Sequence, residues 1–221
     1  MILSFANVDI DQLLEATYET FYMTFIALIG TFIFGLLLGL LLYLTDEGGL
    51  WENKVINFIT ATLVNVFRAI PFIILILLLF PFTHFLLGTI RGPSAALPAL
   101  IIGAAPFYGR LVEIALKEID KGVIEAAKAM GANTWTIIYK VLLPESMPAL
   151  ISGITVTAIA LIGYTAMAGA IGAGGLGSYA YYAGFQRRAI DIVFVCSVVI
   201  VLIVFLFQFI GDYFAKKIDK R

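Results

Sequence analysis

Residues 125–144 read EAAKAMGANTWTIIYKVLLP, and this short, partly polar stretch lies between hydrophobic segments that are long enough to cross a bilayer. It begins with Glu125, Ala126 and Ala127, has a glycine at Gly131, and includes Val141, Leu143 and Pro144 at its end. Glutamate and alanine favour helices, whereas glycine and proline tend to end them. The stretch therefore predicts a short helix, a turn and a return toward the next hydrophobic segment.

The composition around this stretch is that of a membrane protein. Of 221 residues, 62% are hydrophobic and only 13% are charged, against about 25% charged residues in soluble domains. Because a helix needs about 20 apolar residues to cross the hydrocarbon core, the apolar segments predict an all-α, polytopic integral membrane protein. We expect a single domain, residues 1–221, with five transmembrane helices near residues 20–44, 56–80, 93–115, 148–169 and 191–214, and a loop at residues 117–145 between the third and fourth.

Charge bias sets the expected orientation. The first 19 residues carry four acids and no lysine or arginine, whereas basic residues are frequent in the 110–145 loop and in the tail after residue 215. Since cytoplasmic loops are enriched in lysine and arginine, we expect the N-terminus outside and the loop and C-terminus in the cytoplasm. That orientation requires an odd number of spans, and a sixth span would leave the basic tail outside.

The stretch from Gly172 to Gly177 argues against a sixth span. It contains four glycines, and glycine weakens a helix by up to about 1 kcal/mol relative to alanine. Irregular backbone is tolerated at membrane depth only where protein or water surrounds it, so a re-entrant segment is predicted, with an ordinary external loop as the alternative. The spacing superficially fits G-x-G-x-x-G, but it follows a membrane span and lacks the βαβ context of a nucleotide site.

An outer aromatic belt is expected at Tyr179, Tyr181 and Tyr182.

The 117–145 loop predicts two short helices. Asp120 is a suitable N-cap for the first, which would present Val123, Ala127 and Met130 on one face. Gly131 is a natural residue to follow its C-terminus, because glycine adopts positive φ without a Cβ clash.

Asn133 or Thr134 can cap the second helix, and Pro144 and Pro148 are then expected to bend the chain back toward the membrane. Small side chains at the surface of the first helix would permit close docking in the groove of a partner protein. These are Ala126, Ala127 and Ala129.

Few other residues suggest a site. Arg68 lies within a predicted span, where an ionisable residue is a functional hypothesis by default; the favoured alternative is a structural ion pair with Glu113, and snorkelling at the cytoplasmic end is another. Tyr164 and Met167 lie near the glycine-rich break and are candidates for a gate, although methionine is also a common core filler. Cys196, the single cysteine, is expected to be a packing residue.

The spaced pattern resembles the cytoplasmic coupling loop of ABC importer permeases, E-A-A, three residues, G, nine residues, I-x-L-P. Six of its seven positions match, and Val141 replaces the isoleucine. The resemblance implies that the loop contacts an ATPase through Glu125, Ala126, Ala127, Met130, Gly131, Leu143 and Pro144. The chain has no G-x-x-x-x-G-K-[ST] phosphate loop, so it is expected to be no enzyme and to rely on ATP hydrolysis by another chain.

Further segments resemble the methionine-importer permeases: residues 65–73 (NVFRAIPFI), 103–107 (GAAPF), 163–167 (GYTAM) and 172–177 (GAGGLG). The resemblance spans residues 18–215. It implies a homodimer in the bacterial inner membrane, two cytoplasmic ATPase subunits, an external methionine-binding lipoprotein, and no cofactor, metal ion or nucleic acid.

Three alternatives to a methionine-importer permease are a different solute, a different class of transporter, and a channel or scaffold. The solute could be another amino acid or a phosphonate. An ion-coupled secondary transporter would be expected to carry paired carboxylates at the midplane of its spans, which these segments lack. A channel or a passive scaffold would leave the spaced loop pattern unexplained.

Overall fold

The computed structural model describes residues 7–218, and every regular element in that range is helical. The α-helices are α1 (Ile10–Thr45), α2 (Lys54–Ala69), α3 (Phe72–Leu78), α4 (Phe80–Leu87), α5 (Pro93–Lys117), α6 (Lys121–Ala129), α7 (Thr134–Ile137), α8 (Leu143–Ala168), α9 (Gly175–Ser178) and α10 (Ile190–Ile218). Three π-helical segments join them, at Ile138–Leu142, Gly169–Ala173 and Tyr179–Phe185.

Among residues 7–218, four continuous helices are long and apolar enough to cross a membrane: α1, α5, the run from α7 to the end of Gly169–Ala173, and α10. The second predicted span, residues 56–80, is broken, because α2 and α3 meet at an angle of 108°. Pro71 accounts for the break, since it disfavours helical backbone at the preceding residue, and Ile70 has an extended ψ of 122°. The predicted span over residues 56–80 therefore consists of two helices joined by a bend at Pro71.

Helices α1 and α5 pack with their backbones close together along a glycine seam. A Cβ atom on Gly39 would lie 2.6 Å from the carbonyl oxygen of Gly109 and would also collide with Val112. One turn away, a Cβ on Gly35 would lie 2.7 Å from the ring of Tyr108. Small residues at such positions let membrane helices approach closely. Gly35 and Gly39 therefore serve close packing within the subunit.

The helix that begins at Thr134 runs without interruption into the fourth span. The expected bend at Pro144 and Pro148 is wrong, because both prolines lie inside this helix. Pro144 occupies the first turn of α8, directly after the π-helical turn Ile138–Leu142. A proline ring normally clashes with the carbonyl group four residues earlier, and the wider π-helical turn relieves that conflict.

The glycine-rich segment after α8 has irregular backbone, as predicted. Ile171 and Gly172 leave the helical region, with φ values of −110° and 101°. The chain then folds back against α1 and α8, with Gly175, Leu176 and Tyr179 buried. Tyr179 is 8% exposed and its hydroxyl contacts the backbone of Asp9, so the expectation that it belongs to an outer aromatic belt is wrong. Cys196 is fully buried in α10, as expected for a packing residue.

Candidate coupling loop and central cavity

Helix α6 forms the exposed knob of the 117–145 loop. The carboxylate of Asp120 accepts a hydrogen bond from the backbone N–H of Gly122 at 2.6 Å, which confirms the predicted N-cap. Ile124 and Ala127 are buried against the subunit. The exposed residues of this helix and its end are Lys121, Gly122, Val123, Glu125, Ala126, Lys128, Ala129 and Met130.

The predicted face of α6 is therefore wrong in register. Ala127 is 5% exposed, whereas Met130 is 83% exposed. The larger apolar side chain of Ile124 selects the inward face, and Ala127, three residues later, lies on the same side of the helix. Ala126 and Ala129 are left as the small residues on the accessible surface.

Gly131 forms the turn behind α6. Its φ is 81°, in the left-handed region, and a Cβ atom added there would meet nothing within 4 Å. The N–H of Gly131 donates to the carbonyl oxygen of Lys128 at 2.9 Å, and the N–H of Ala132 donates to that of Ala127 at 3.1 Å. These bonds satisfy the last carbonyl groups of α6. The predicted positive-φ role of Gly131 is confirmed.

The second half of the loop is anchored to the bundle. Asn133 caps α7 by accepting a hydrogen bond from the backbone N–H of Thr136 at 2.8 Å. Leu143 packs, half-buried, against the apolar cluster beneath the loop, whereas Pro144 is exposed. Trp135 packs edge-on against Trp51, with 5.4 Å between ring centroids. The loop is thus held from two sides and presents α6 as a defined surface.

A chain of charged side chains lies at the same end of the bundle. Glu113, which is 4% exposed, accepts hydrogen bonds from Arg110 at 2.7 Å and Lys117 at 2.8 Å. Lys117 also contacts the carboxylate of Asp46 at 2.7 Å, which ties α5 to the end of α1. This hydrogen-bonded ammonium group holds the pKa of Asp46 below its usual range.

Because Arg110 and Lys117 occupy both carboxylate oxygens of Glu113, the expected pairing of Arg68 with Glu113 is wrong. Sequence reasoning missed the Glu113 network. Arg110 lies three residues before Glu113 and Lys117 four residues after it, and such spacings on one helix are a recognisable signal of side-chain pairing. Within residues 7–218 the side chain of Arg68 makes no ion pair or hydrogen bond, and it is exposed at the end of α2.

Arg68 lines a cavity of about 130 Å³ at the break between α2 and α3. Aromatic side chains form much of its wall, including Phe67, Phe107 and Tyr164. The ring of Tyr164 stacks on that of Phe72 with 4.4 Å between centroids. The structure thus brings one predicted gate candidate, Tyr164, to the wall of a partly open cavity.

Met167, the other gate candidate, lies one helical turn after Tyr164 and is 47% exposed. It is not a core residue of the single subunit, so the core-filler reading is wrong for an isolated chain. Exposed residues recur along this part of α8 at Val156, Gly163 and Met167. That spacing defines one uncovered helix face.

The start of α9 is occupied by side chains of α1. Glu19 accepts a hydrogen bond from the backbone N–H of Gly175 at 2.6 Å, and Thr20 accepts one from that of Leu176 at 2.9 Å. A phosphate group would need these donors, so the G-x-G-x-x-G-like spacing serves internal packing. Sequence reasoning did not connect Glu19 with this segment, because 156 residues separate the partners.

Comparison with known proteins identifies relatives along nearly the whole chain. A protein of Bacillus subtilis (strain 168) named methionine import system permease protein MetP is 65% identical over 217 residues, which cover 98% of both chains. A protein of Pasteurella multocida (strain Pm70), named as a probable D-methionine transport system permease protein MetI, is 48% identical over 93% of this chain and 95% of its own.

Solved structures agree with this grouping. An inward-facing structure of the MetNI methionine ABC transporter contains a chain that is 43% identical, with a TM-score of 0.94 over 96% of this chain and 98% of that one. A chain of an amino acid ABC transporter shares the fold with a TM-score of 0.78 at 17% identity.

The family of binding-protein-dependent transport system inner membrane components matches residues 32–221. That match covers most of the chain, and the sequence similarity to the relatives extends over up to 98% of it. The chain belongs to this family, and it is a multi-pass permease component of the inner membrane.

Proposed function

We propose that this chain is the membrane subunit of an ATP-driven methionine importer. The 65% identity to a named methionine import permease, over 98% of both chains, carries the choice of substrate. The exposed knob of α6, with its N-cap and its Gly131 turn, supports the choice of an ATP-driven mechanism, since it offers a rigid docking element for a separate ATPase.

In this proposal two copies of the chain enclose the pathway, and two ATPase subunits bind the α6 knobs in the cytoplasm. An external binding protein delivers the solute. Closure of the ATPases on ATP would move the two loops together and open the pathway outward. The chain contributes no catalytic group and acts as a conduit.

Reconstitution tests this function directly. The chain is co-reconstituted in proteoliposomes with its ATPase and its purified binding protein, and uptake of radiolabelled methionine is followed. We expect accumulation that depends on ATP and on the binding protein. A binding protein that ignores methionine but holds another amino acid or a phosphonate would refute the substrate while retaining the importer.

The proposed orientation places Asp11 outside and Lys217 in the cytoplasm. Both side chains are exposed, and Asp11 avoids the contact between Asn7 and Asp191. With Cys196 replaced by alanine, single cysteines at the two positions are treated with a membrane-impermeant thiol reagent in intact cells. Labelling is expected at position 11 and protection at 217, with labelling of both after lysis. The reverse pattern would contradict the proposed orientation, and the same result at both positions in intact cells would contradict an odd number of spans.

The uncovered face of α8 is proposed to lie near the dimer axis. Met167→Cys is then expected to form an intermolecular disulfide under mild oxidation, because the two copies of this residue would approach each other. Phe205→Cys on α10 is the control, since residue 205 is 64% exposed and is proposed to face lipid. Equal cross-linking of both variants, or none at position 167 with and without nucleotide, would place the axis elsewhere.

A further inference from the structure

The cavity beside Arg68 lies close to the middle of the membrane. One of its walls is Gly103, ten residues after the start of α5 at Pro93 and fourteen before its end at Lys117. At 1.5 Å per residue, this position is about 15 Å from one end of the helix and about 21 Å from the other. The snorkelling explanation for Arg68 requires a position near the cytoplasmic end, which this height does not provide.

An arginine at this depth without a partner needs a reason. Ionisable residues within spans are unfavourable and usually pair with another group or line a polar path. Glu113, the nearest acid on α5, is engaged by Arg110 and Lys117. The guanidinium group therefore remains available to a ligand, and its planar donors suit a carboxylate.

The rest of the cavity suits a zwitterion with a flexible apolar side chain. Phe67, Phe107 and Tyr164 supply aromatic surface. Aromatic faces attract ammonium groups, and aromatic edges make favourable contacts with thioether sulfur. A cavity of about 130 Å³ has room for a small solute, given that one water needs about 10–15 Å³ on a comparable measure.

We propose that this cavity is a substrate site within the membrane, where Arg68 holds the α-carboxylate of the transported amino acid and the aromatic wall holds its side chain. The inference rests on the proposed function and adds to it a site inside the permease, separate from the external binding protein. The stacked pair Phe72 and Tyr164, one turn from Met167, keeps the wall in place.

The test separates uptake from ATP hydrolysis in the reconstituted complex. Arg68→Gln is compared with wild type for methionine uptake and for ATP hydrolysis stimulated by the methionine-loaded binding protein. Loss of a charge-assisted hydrogen bond should reduce uptake about tenfold or more, while stimulated hydrolysis stays near the wild-type rate. Arg68→Lys, which keeps the charge, should restore part of the uptake.

Two further variants guard against a trivial loss of folding. Phe107→Trp keeps Arg68 but fills the cavity, and it should also lower uptake while hydrolysis continues. Arg91→Gln removes an exposed arginine from the loop before α5 and should change neither quantity. All variants are compared for co-purification with the ATPase and for thermal stability in detergent.

Each outcome decides the proposal. Wild-type uptake by Arg68→Gln would overturn the proposal. A parallel loss of uptake and stimulated hydrolysis in a stable, assembled complex would also overturn it, because a parallel loss would assign Arg68 a structural role. If the wild-type complex accumulates no methionine, the proposed function fails separately. The same variants, assayed with the solute that the binding protein does carry, would then support the carboxylate site if Arg68→Gln lost uptake while Arg91→Gln kept it, and would refute it otherwise.

Discussion

Gly131→Val is expected to insert normally into the membrane but to lose association with the ATPase, or to uncouple hydrolysis from transport. The residue has a φ of 81°, and valine resists that conformation by about 1–3 kcal/mol. Because a Cβ atom at this position meets nothing within 4 Å, backbone strain and not steric bulk would move α6. Co-purification with the ATPase and transport in proteoliposomes measure the effect.

Matched variants isolate that strain. Gly131→Asn should keep function, since asparagine tolerates the left-handed conformation. Gly88→Val introduces the same residue at a glycine of φ 71° with open space around it, at the C-terminal end of α4, and should leave ATPase binding intact. Ala126→Trp should block docking by bulk on the exposed face of α6. Full assembly and wild-type transport in both Gly131→Val and Ala126→Trp would reduce the loop to a connector.

Gly39→Val is expected to prevent folding, and Gly39→Ala to destabilise the protein markedly. The added methyl group of alanine would meet Val112 and, at 2.6 Å, the carbonyl oxygen of Gly109. Overpacking of this kind costs about 1–3 kcal/mol, which exceeds the gain of up to about 1 kcal/mol from the better helix propensity of alanine. Thermal unfolding of the detergent-solubilised protein, followed with the yield of monodisperse material, tests the prediction.

Gly153→Ala provides the comparison for this second prediction. Gly153 lies in α8, and the nearest heavy atom to a Cβ atom there would be the Cβ of Leu111 at 3.4 Å, an ordinary van der Waals contact. The same substitution should therefore leave the unfolding temperature unchanged or raise it slightly, because only the propensity term remains. Equal destabilisation at both positions would show that glycine is needed for helix flexibility and not for close packing of α1 on α5.

The span count and the local chemistry of the loop could be predicted because they depend on neighbouring residues. Uncharged length defines a membrane helix, and Asp120 and Gly131 act within one turn of the helix that they delimit. The continuity of α7 with α8 could not be predicted in this way. It depends on a π-helical turn that absorbs Pro144, and proline alone indicates a break.

The site was harder to predict because its contacts join distant parts of the chain. The inward face of α6 depends on the apolar cluster to which Ile124 belongs, and that cluster includes residues of α1, α5 and α8. Arg68 and Tyr164 line one cavity although 96 positions separate them in the sequence. A pairing of Arg68 with Glu113 was chemically reasonable, but helical spacing gives Glu113 closer partners.

The unbroken helix from Thr134 to Ala168 has a mechanical consequence. Thr134 belongs to the loop and Tyr164 to the cavity wall, and the two are thirty residues apart in one rod. At 1.5 Å per residue, that rod is about 45 Å long, so a tilt of about 5° around one end displaces the other by about 4 Å. A small stroke by an ATPase would thus be delivered across the bilayer by leverage, and the π-helical turn at Ile138–Leu142 and the internal Pro148 are the positions along this helix where bending would reduce the transmitted displacement.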